Sequence, residues 1–250
     1  MQSKPILEKL IRSGYFVSRI PWMILSPFRK EADFLIVGTQ KGGTSTLHHL
    51  LDQHPHTYLP QKKELHYFSK YYAFGRMWYK SFFPFKWNKK ITGEATPNYM
   101  FYTEVAERIY KFNPGTKIII LLRDPTDRAL SQYFMELNRK KINREFEKMV
   151  KEQLKKKELS INKITYKNHH EEILQRGRYY SQIKNWLNYF PRKQLLILKS
   201  EEFFRQPKET LKKVYDFLEL SEVYPDKLEA KNIGQYKNAK IPHELKELLY

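Results

Sequence analysis

Cysteine is absent from all 250 residues of this sequence. A chain without cysteine can form neither a disulfide framework nor a thiolate metal site, and it cannot use a cysteine nucleophile. Because disulfides mark oxidising compartments, the absence favours a reducing one, and we expect a cytoplasmic protein.

Long hydrophobic runs are also missing from the N-terminal region. Its longest uncharged stretch, residues 20–28, is much shorter than the roughly 20 residues that span a bilayer, so neither a signal peptide nor an anchor is predicted. Residues 15–28 nevertheless mix aromatic and apolar side chains with basic ones. This mixture fits two interpretations, an extension packed on the domain or a peripheral contact with a membrane surface.

Acidic residues are few relative to basic ones. There are 46 Lys and Arg against 27 Asp and Glu, which gives a formal net charge of +19 and a pI near 9.7. Such a field attracts anions, including nucleotides, acidic glycans, nucleic acid and anionic membranes. The hydrophobic fraction of 41% is typical of a globular protein, and the length fits one domain.

Short apolar runs between turn residues predict buried strands over residues 34–37, 118–122 and 195–198. Helical spacing of apolar residues follows each of them. Strands that alternate with helices predict an α/β fold of three layers, with a central parallel sheet covered by helices on both faces and ligands at the carboxyl ends of the strands. The lysine-rich residues 140–175 predict an exposed helix and a mobile segment.

A glycine loop, residues 38–45, separates the first predicted strand from its helix. Gly42 and Gly43 allow backbone N–H groups to approach an anion, and Thr44 and Ser45 add hydroxyls. The helix N-terminus and Lys41 both contribute positive charge. The segment is therefore predicted to be a P-loop-like anion site.

The loop departs from the nucleoside triphosphatase pattern G-x-x-x-x-G-K-[ST]. Lys41 precedes the glycines, whereas that pattern places lysine directly after the last glycine. Arg123 follows the second predicted strand, where a magnesium-binding aspartate would be expected. Both departures disfavour a P-loop kinase or triphosphatase, which stays an alternative, as does a basic nucleic-acid- or membrane-binding protein.

Four motifs occur in a fixed order along the chain. They are Lys41-Gly42-Gly43-Thr44-Ser45, Lys63-Glu64-Leu65-His66-Tyr67-Phe68, Gly93-Glu94-Ala95-Thr96-Pro97, and Leu122-Arg123-Asp124-Pro125 with Ser131. With these motifs the chain resembles the sulfotransferases that use 3′-phosphoadenosine-5′-phosphosulfate (PAPS), most closely their heparan-sulfate and carbohydrate branch. The resemblance implies an N-terminal extension, residues 1–30, and a sulfotransferase domain, residues 31–250.

The same resemblance implies the reaction. A sulfuryl group would move from PAPS to a hydroxyl or amine, leaving 3′,5′-adenosine bisphosphate, with no metal required. The expected acceptor is a glycan, and a small metabolite is the alternative; nucleic acid is not an expected partner. Some relatives carry a substrate-facing lysine at the position of Ala95, so their acceptor specificity does not transfer directly.

The family's nucleotide-binding residues map onto two regions. Lys41 and the amides of residues 42–45 would hold the 5′-phosphosulfate, and Arg123 and Ser131 would hold the 3′-phosphate. An arginine at the mouth of the sheet and a hydroxyl two helical turns later can converge on one anion. The alternative for Arg123 is a salt bridge to Asp124 or Asp127.

Two further nucleotide contacts are implied by resemblance. Tyr179 would line the cofactor pocket, with a buried aromatic at a helix start as the alternative. The relatives also close a late loop over the nucleotide with a Lys-Gly-Arg sequence. Here Asn238 and Ala239 replace its glycine and arginine, so Lys237 and Lys240 would supply the positive charge and Asn238 a backbone contact.

A base for the acceptor's proton is available at Glu64 or His66. In an extended segment these two side chains share one side, with Lys63 on the other. By pKa alone His66 is the better base, because a glutamate needs burial to raise its pKa. The resemblance instead implies Glu64 as the base, with His66 orienting it or touching the acceptor, and Lys41 stabilising the leaving phosphate.

A metal site is the remaining alternative for the histidines. His48 and Asp52 lie one helical turn apart, but no third ligand is specified by the sequence. We therefore expect no metal.

Overall fold

The computed structural model of the protein describes residues 14–142, 145–155, 172–229 and 231. The strands are β1 Phe34–Gly38, β2 Thr57–Tyr58, β3 Ile91–Ala95, β4 Lys117–Leu122 and β5 Leu195–Lys199. The α-helices are α1 Gly14–Val17, α2 Ile20–Ile24, α3 Thr44–Asp52, α4 Gly75–Lys80, α5 Thr103–Phe112, α6 Pro125–Asn138, α7 Phe146–Lys155, α8 Tyr179–Leu187, α9 Ser200–Arg205 and α10 Pro207–Leu218.

The five strands form one parallel sheet in the order β2-β3-β1-β4-β5. β1 is central, with Phe34 opposite Gly93 on one side and Lys117 on the other. The carboxyl ends of β1, β3 and β4 therefore meet at one edge, where Glu94 is the penultimate residue of β3 and the glycine loop and Arg123 follow β1 and β4. The predicted α/β fold with a parallel sheet is confirmed.

Helices cover both faces of the sheet because β1 and β4 are apolar on both sides. Leu35 and Ile118 join one core with side chains of α4, α5 and α8. Ile36 and Ile119 join a second core with α3 and α10. Continuous apolar strands are the pattern expected for a parallel sheet buried on both faces.

The N-terminal segment packs beside α4. The guanidinium of Arg19 lies 4.0 Å from the Phe82 ring centroid, and the ring centroids of Phe16 and Phe74 are 4.8 Å apart. Packing on the domain, one of the two interpretations of this segment, is thus observed. In the part of the chain that the structure describes, no helix is both long and apolar enough to cross a membrane.

The predicted exposed helix of the lysine-rich region is α7. The mobile segment predicted after it falls on residues 156–171, which lie outside the described residues.

Candidate active site

The glycine loop connects β1 to α3 at the edge of the sheet. A Cβ atom on Gly42 would lie 2.6 Å from the carbonyl oxygen of Leu121, so only glycine fits against the backbone of β4. Gly43 has φ of 93° and directly precedes α3. The two glycines are therefore required by the path of the backbone, independently of any ligand.

Backbone donors at the start of α3 define where an anion can bind. The first hydrogen bond of the helix runs from the Leu47 N–H to the Gly43 carbonyl at 3.1 Å, so the amides at positions 44–46 precede the helical ladder. The Gly42 N–H donates to the Thr39 carbonyl at 3.0 Å. The Gly42 N–H is therefore already engaged within the loop, and the amides at positions 43–45 are the donors that best suit an anion; the expected contact of the Gly42 amide with an anion stays a prediction.

Arg123 joins the glycine loop to the end of β4. Its Nη1 donates to the Lys41 carbonyl at 3.2 Å, and its Nη2 is 3.9 Å from Asp127 Oδ2. The Tyr179 hydroxyl donates to the Arg123 carbonyl at 2.8 Å. Lys41, Arg123 and Tyr179 are therefore neighbours, although the alternative salt bridge of Arg123 is also present as a long contact.

Ser131 lies on α6, two turns after Arg123, and is buried with 1% exposure. One turn earlier, Arg128 is fully buried and donates from Nη1 to Gln132 Oε1 at 2.7 Å. Burial lowers the Arg128 pKa to about 10, so the guanidinium keeps its charge at neutral pH. Arg128 was not among the residues predicted from the sequence. Its position next to Ala129 and Leu130, on the apolar face predicted for this helix, could have indicated a buried cation.

Glu64 and His66 come together in a turn and not in an extended segment. Both have positive φ, 63° and 53°, so the alternation predicted for this segment is wrong. Lys63 Nζ donates to Glu64 Oε1 at 2.9 Å, and His66 Nε2 lies 3.5 Å from Glu64 Oε2. Lys63, expected on the opposite side, therefore contacts the same carboxylate.

The environment of Glu64 lowers the pKa of its carboxyl to about 2. Burial raises this pKa, but hydrogen bonds and charge from His66 and Lys63 outweigh that effect. A catalytic glutamate here was expected to have a raised pKa. The Glu64 pKa is lowered instead, because its contacts with Lys63 and His66 outweigh the effect of burial. Glu64 is ionised at neutral pH.

His48 lies on α3, the helix that follows the glycine loop, and its pKa responds to Lys63 and Glu64. Burial, with the charges of Lys63 and His49, lowers its pKa to about 4, and the charge of Glu64 opposes that shift. These influences mean that His48, one turn after Ser45, lies near Lys63 and Glu64. Among the described residues, no three His, Asp or Glu side chains form a group that could hold a metal ion.

A second carboxylate, Glu94, lies buried under the same turn. It accepts hydrogen bonds from the hydroxyls of Tyr79 at 2.8 Å, Tyr99 at 3.1 Å and Thr96 at 2.5 Å. Burial raises its pKa. The Tyr99 hydroxyl also accepts from the Phe68 N–H at 3.2 Å, so this network supports the chain just after His66.

Lys231, five residues before the late segment predicted to close over the nucleotide, contacts the helix that follows the glycine loop. The Lys231 N–H donates to Thr46 Oγ1 on the first turn of α3 at 3.0 Å. The predicted contacts Lys237, Asn238 and Lys240 lie outside the described residues and stay predictions.

Comparison with known proteins identifies the family. Residues 31–241 match the family model described as the sulfotransferase domain. The chain is 34% identical over 189 residues to heparan sulfate glucosamine 3-O-sulfotransferase 5 of Mus musculus and 31% identical over 193 residues to heparan sulfate glucosamine 3-O-sulfotransferase 3B1 of Homo sapiens. These alignments cover 74% and 77% of this chain but 53% and 47% of the relatives, so the chain spans about half the length of the curated proteins it matches.

Solved structures agree with the sequence match. The crystal structure of a sulfotransferase from Alicyclobacillus acidocaldarius superimposes with a TM-score of 0.73 at 27% identity, covering 88% of this chain and 90% of that one. The resemblance drawn from the motifs, including its closeness to the heparan-sulfate branch, is thus confirmed. The match also favours this interpretation over a P-loop kinase, and the chain belongs to the sulfotransferase domain family.

Proposed function

We propose that this protein transfers a sulfuryl group from PAPS to a hydroxyl group of an acidic glycan, with Glu64 as the general base and no metal. The observation that carries the proposal is the Glu64–His66 pair, 3.5 Å apart, which the Glu64 N–H joins to the Ala95 carbonyl at the end of β3, beside the strand that leads into the glycine loop. An anion-binding helix start and an ionised carboxylate are the two parts that such a transfer requires.

The donor would occupy the two regions of positive charge at the sheet edge. Lys41 and the amides at positions 43–45 suit the 5′-phosphosulfate, since they combine a cation with the N-terminus of α3. Arg123 and Ser131 would hold the 3′-phosphate. The contact of Arg123 Nη1 with the Lys41 carbonyl supports this arrangement, because it fixes the two regions side by side.

The acceptor oxygen would attack the sulfur as the bond between sulfur and the bridging phosphate oxygen breaks. Its proton would pass to a Glu64 oxygen, and the leaving phosphate would take the electron pair beside the Lys41 cation. His66 Nε2 would hold the carboxylate in place. Among the described residues, His66 Nδ1 is buried and has no hydrogen-bond partner.

The protonation state of Glu64 suits this role, although its basicity is low. With a pKa of about 2 the carboxylate is ionised at neutral pH and can accept a proton. A weak base suffices when the acceptor hydroxyl becomes more acidic as its bond to sulfur forms. Lys63 and His66 would then set the basicity of Glu64 through their contacts with its carboxylate.

An acidic glycan is favoured as acceptor by two independent observations. The curated relatives named above are, by their names, 3-O-sulfotransferases of heparan sulfate glucosamine, which points to a sugar hydroxyl. The net charge of +19 also favours an anionic polymer. A small metabolite stays the alternative acceptor.

Transfer of radiolabelled sulfuryl from PAPS to a heparan backbone tests the proposal. The purified chain should label N-sulfated heparosan in buffer that contains a chelator. A neutral glucan of equal length is the matched control, and it should take up little label because it lacks the anionic groups.

Two outcomes would contradict parts of this function. Loss of labelling in the presence of chelator would contradict a metal-free reaction. If a small phenol were labelled and the glycan were not, the proposal of a glycan acceptor would be wrong, whereas the proposal of PAPS as donor would stand.

A further inference from the structure

Four large apolar side chains are exposed on two neighbouring segments of the chain. Ile24 is 68% exposed, Phe28 61% and Trp87 72%, and Trp22 is 45% exposed. We call these four residues the aromatic edge. Single exposed apolar residues need no explanation, but a cluster of this size marks a surface that meets something apolar.

The aromatic edge is one continuous surface, although its residues come from two parts of the chain. The Arg29 guanidinium lies 5.0 Å from the Trp22 ring centroid and 4.5 Å from that of Phe85. Phe85 stacks on Trp87 with centroids 4.3 Å apart, and the Lys86 N–H donates to the Phe28 carbonyl at 2.8 Å. Residues 20–28 and 85–87 therefore form one unit.

The exposed side chains are held in place from beneath. Arg19 Nε donates to Ser81 Oγ at 3.2 Å, and Arg29 Nη1 donates to the Phe83 carbonyl. Lys30 Nζ reaches the Lys90 carbonyl at 2.6 Å. The edge is thus an ordered surface, and a partner would not need to order it first.

The two segments that carry the aromatic edge are basic in sequence, although Asp33, whose Oδ2 lies 3.4 Å from Lys30 Nζ, adds one carboxylate beside them. Residues 9–30 contain no Asp or Glu, and neither do residues 65–93. Lys86, Lys89 and Lys90 are all exposed. The nearest acid in sequence, Glu31, is bound by Arg76 Nη2 at 2.6 Å.

We propose that the aromatic edge and its flanking lysines dock the protein on an anionic lipid bilayer. Trp side chains favour the interface between headgroups and hydrocarbon, and lysines near that surface are attracted by anionic lipids. Ile24 and Phe28 would enter the acyl boundary, as the apolar face of an interfacial helix does.

Other occupants suit this surface less well. A two-fold symmetric dimer through the edge would bring the two sets of lysines against each other, which is repulsive. Nucleic acid would satisfy the lysines but would leave Ile24 and Phe28 without an apolar environment. A bilayer satisfies both components at once.

Tryptophan fluorescence of the full chain provides a direct test. Trp78 and Trp186 are fully buried, so a spectral change on binding reports Trp22 and Trp87. We expect a blue shift and cosedimentation with vesicles made of equal parts phosphatidylserine and phosphatidylcholine. Binding to phosphatidylcholine alone should be about tenfold weaker or less.

Variants separate insertion from simple attraction of charge. The double variant Ile24→Ser with Phe28→Ser should lower vesicle affinity at least about tenfold while product-nucleotide affinity stays normal. Val223→Ser is the matched control, since Val223 is also exposed and lies between Leu220 and Tyr224, which pack on the second core. Its vesicle affinity should be unchanged.

Three results would overturn the proposal. One is a vesicle affinity of the double variant equal to that of the wild type, which would mean that charge alone, without insertion of Ile24 and Phe28, causes the binding. Another is an equal response to the two kinds of vesicle. The third is a blue shift that occurs without vesicles and grows with protein concentration, accompanied by the mass of a dimer in light scattering. That result would mean that the aromatic edge binds a second copy of this chain.

Discussion

His66 Nε2 lies 3.5 Å from Glu64 Oε2, and both residues adopt left-handed backbone conformations in the turn that carries them. Lys63 binds the other oxygen of the same carboxylate. Glu64 is therefore held by two positively polarised groups, and its chemistry depends on them as much as on its own acidity.

Replacing Glu64 tests its role as the base. Glu64→Gln keeps the shape but cannot accept the acceptor's proton, so turnover should fall about a hundredfold or more while bisphosphate affinity stays nearly unchanged. Steady-state kinetics and calorimetry measure the two quantities. Glu107→Gln, in an exposed pair with Lys111, is the control; near-normal turnover in Glu64→Gln would remove it from the role.

Lys63 should control the pH dependence. The charge and hydrogen bond of Lys63 help to lower the Glu64 pKa to about 2, so Lys63→Met should raise that pKa. The acid limb of the kcat/KM profile should then move to higher pH. An unchanged acid limb with intact folding would contradict the coupling.

The same shift links Glu64 to stability. Its pKa in the folded protein is below the ordinary value of 4.5, so ionised Glu64 stabilises the fold above about pH 4.5. That contribution is lost as the pH falls toward about 2. In Lys63→Met the folded-state pKa should rise toward 4.5, so the total loss should be smaller and should be complete at a higher pH, as measured by urea unfolding across this range.

Arg123 should distinguish nucleotides by their 3′-phosphate. Arg123→Ala should weaken 3′,5′-adenosine bisphosphate binding by roughly 30-fold or more, and it should change 5′-AMP binding much less. Arg123→Lys should recover only part of the loss, because lysine lacks the planar fork. Asp127→Asn removes the 3.9 Å ion pair and should not weaken binding. An equal loss for both nucleotides would show that Arg123 acts by holding the Lys41 loop.

Glu94 should matter for stability. Glu94→Ala would leave the hydroxyls of Tyr79, Thr96 and Tyr99 without their buried acceptor and should destabilise the fold by about 2–4 kcal/mol. Glu94→Gln keeps one acceptor oxygen in place and removes a carboxylate whose ionised form burial disfavours, so it should lose less stability than Glu94→Ala. Urea unfolding at neutral pH compares the two variants. Equal losses would mean that charge, and not the acceptor, is what the network needs.

Much of the fold followed from local pattern. The apolar runs at β1 and β4 are buried on both faces, and the edge strand β5 is partly buried, so the sequence of each is continuously apolar and can be recognised without a structure. β2 was missed because Thr57–Tyr58 is too short to show a period. The glycine loop was found because its backbone path demands glycine at Gly42 and Gly43.

The turn at Glu64 was not predictable in the same way. Alternation assumes extended backbone, whereas the Glu64 N–H bonds the Ala95 carbonyl at 3.1 Å, a contact between residues 31 positions apart. Tertiary contacts thus set the conformation. The sign of the Glu64 pKa shift was missed for the same reason, since Lys63 turned toward the carboxylate.

The central claim is a site for two separate phosphates, and calorimetric titration tests it most directly. In magnesium-free buffer, 3′,5′-adenosine bisphosphate should bind to the full chain and ATP should bind much more weakly. Tight binding of ATP with no detectable binding of the bisphosphate would contradict the account.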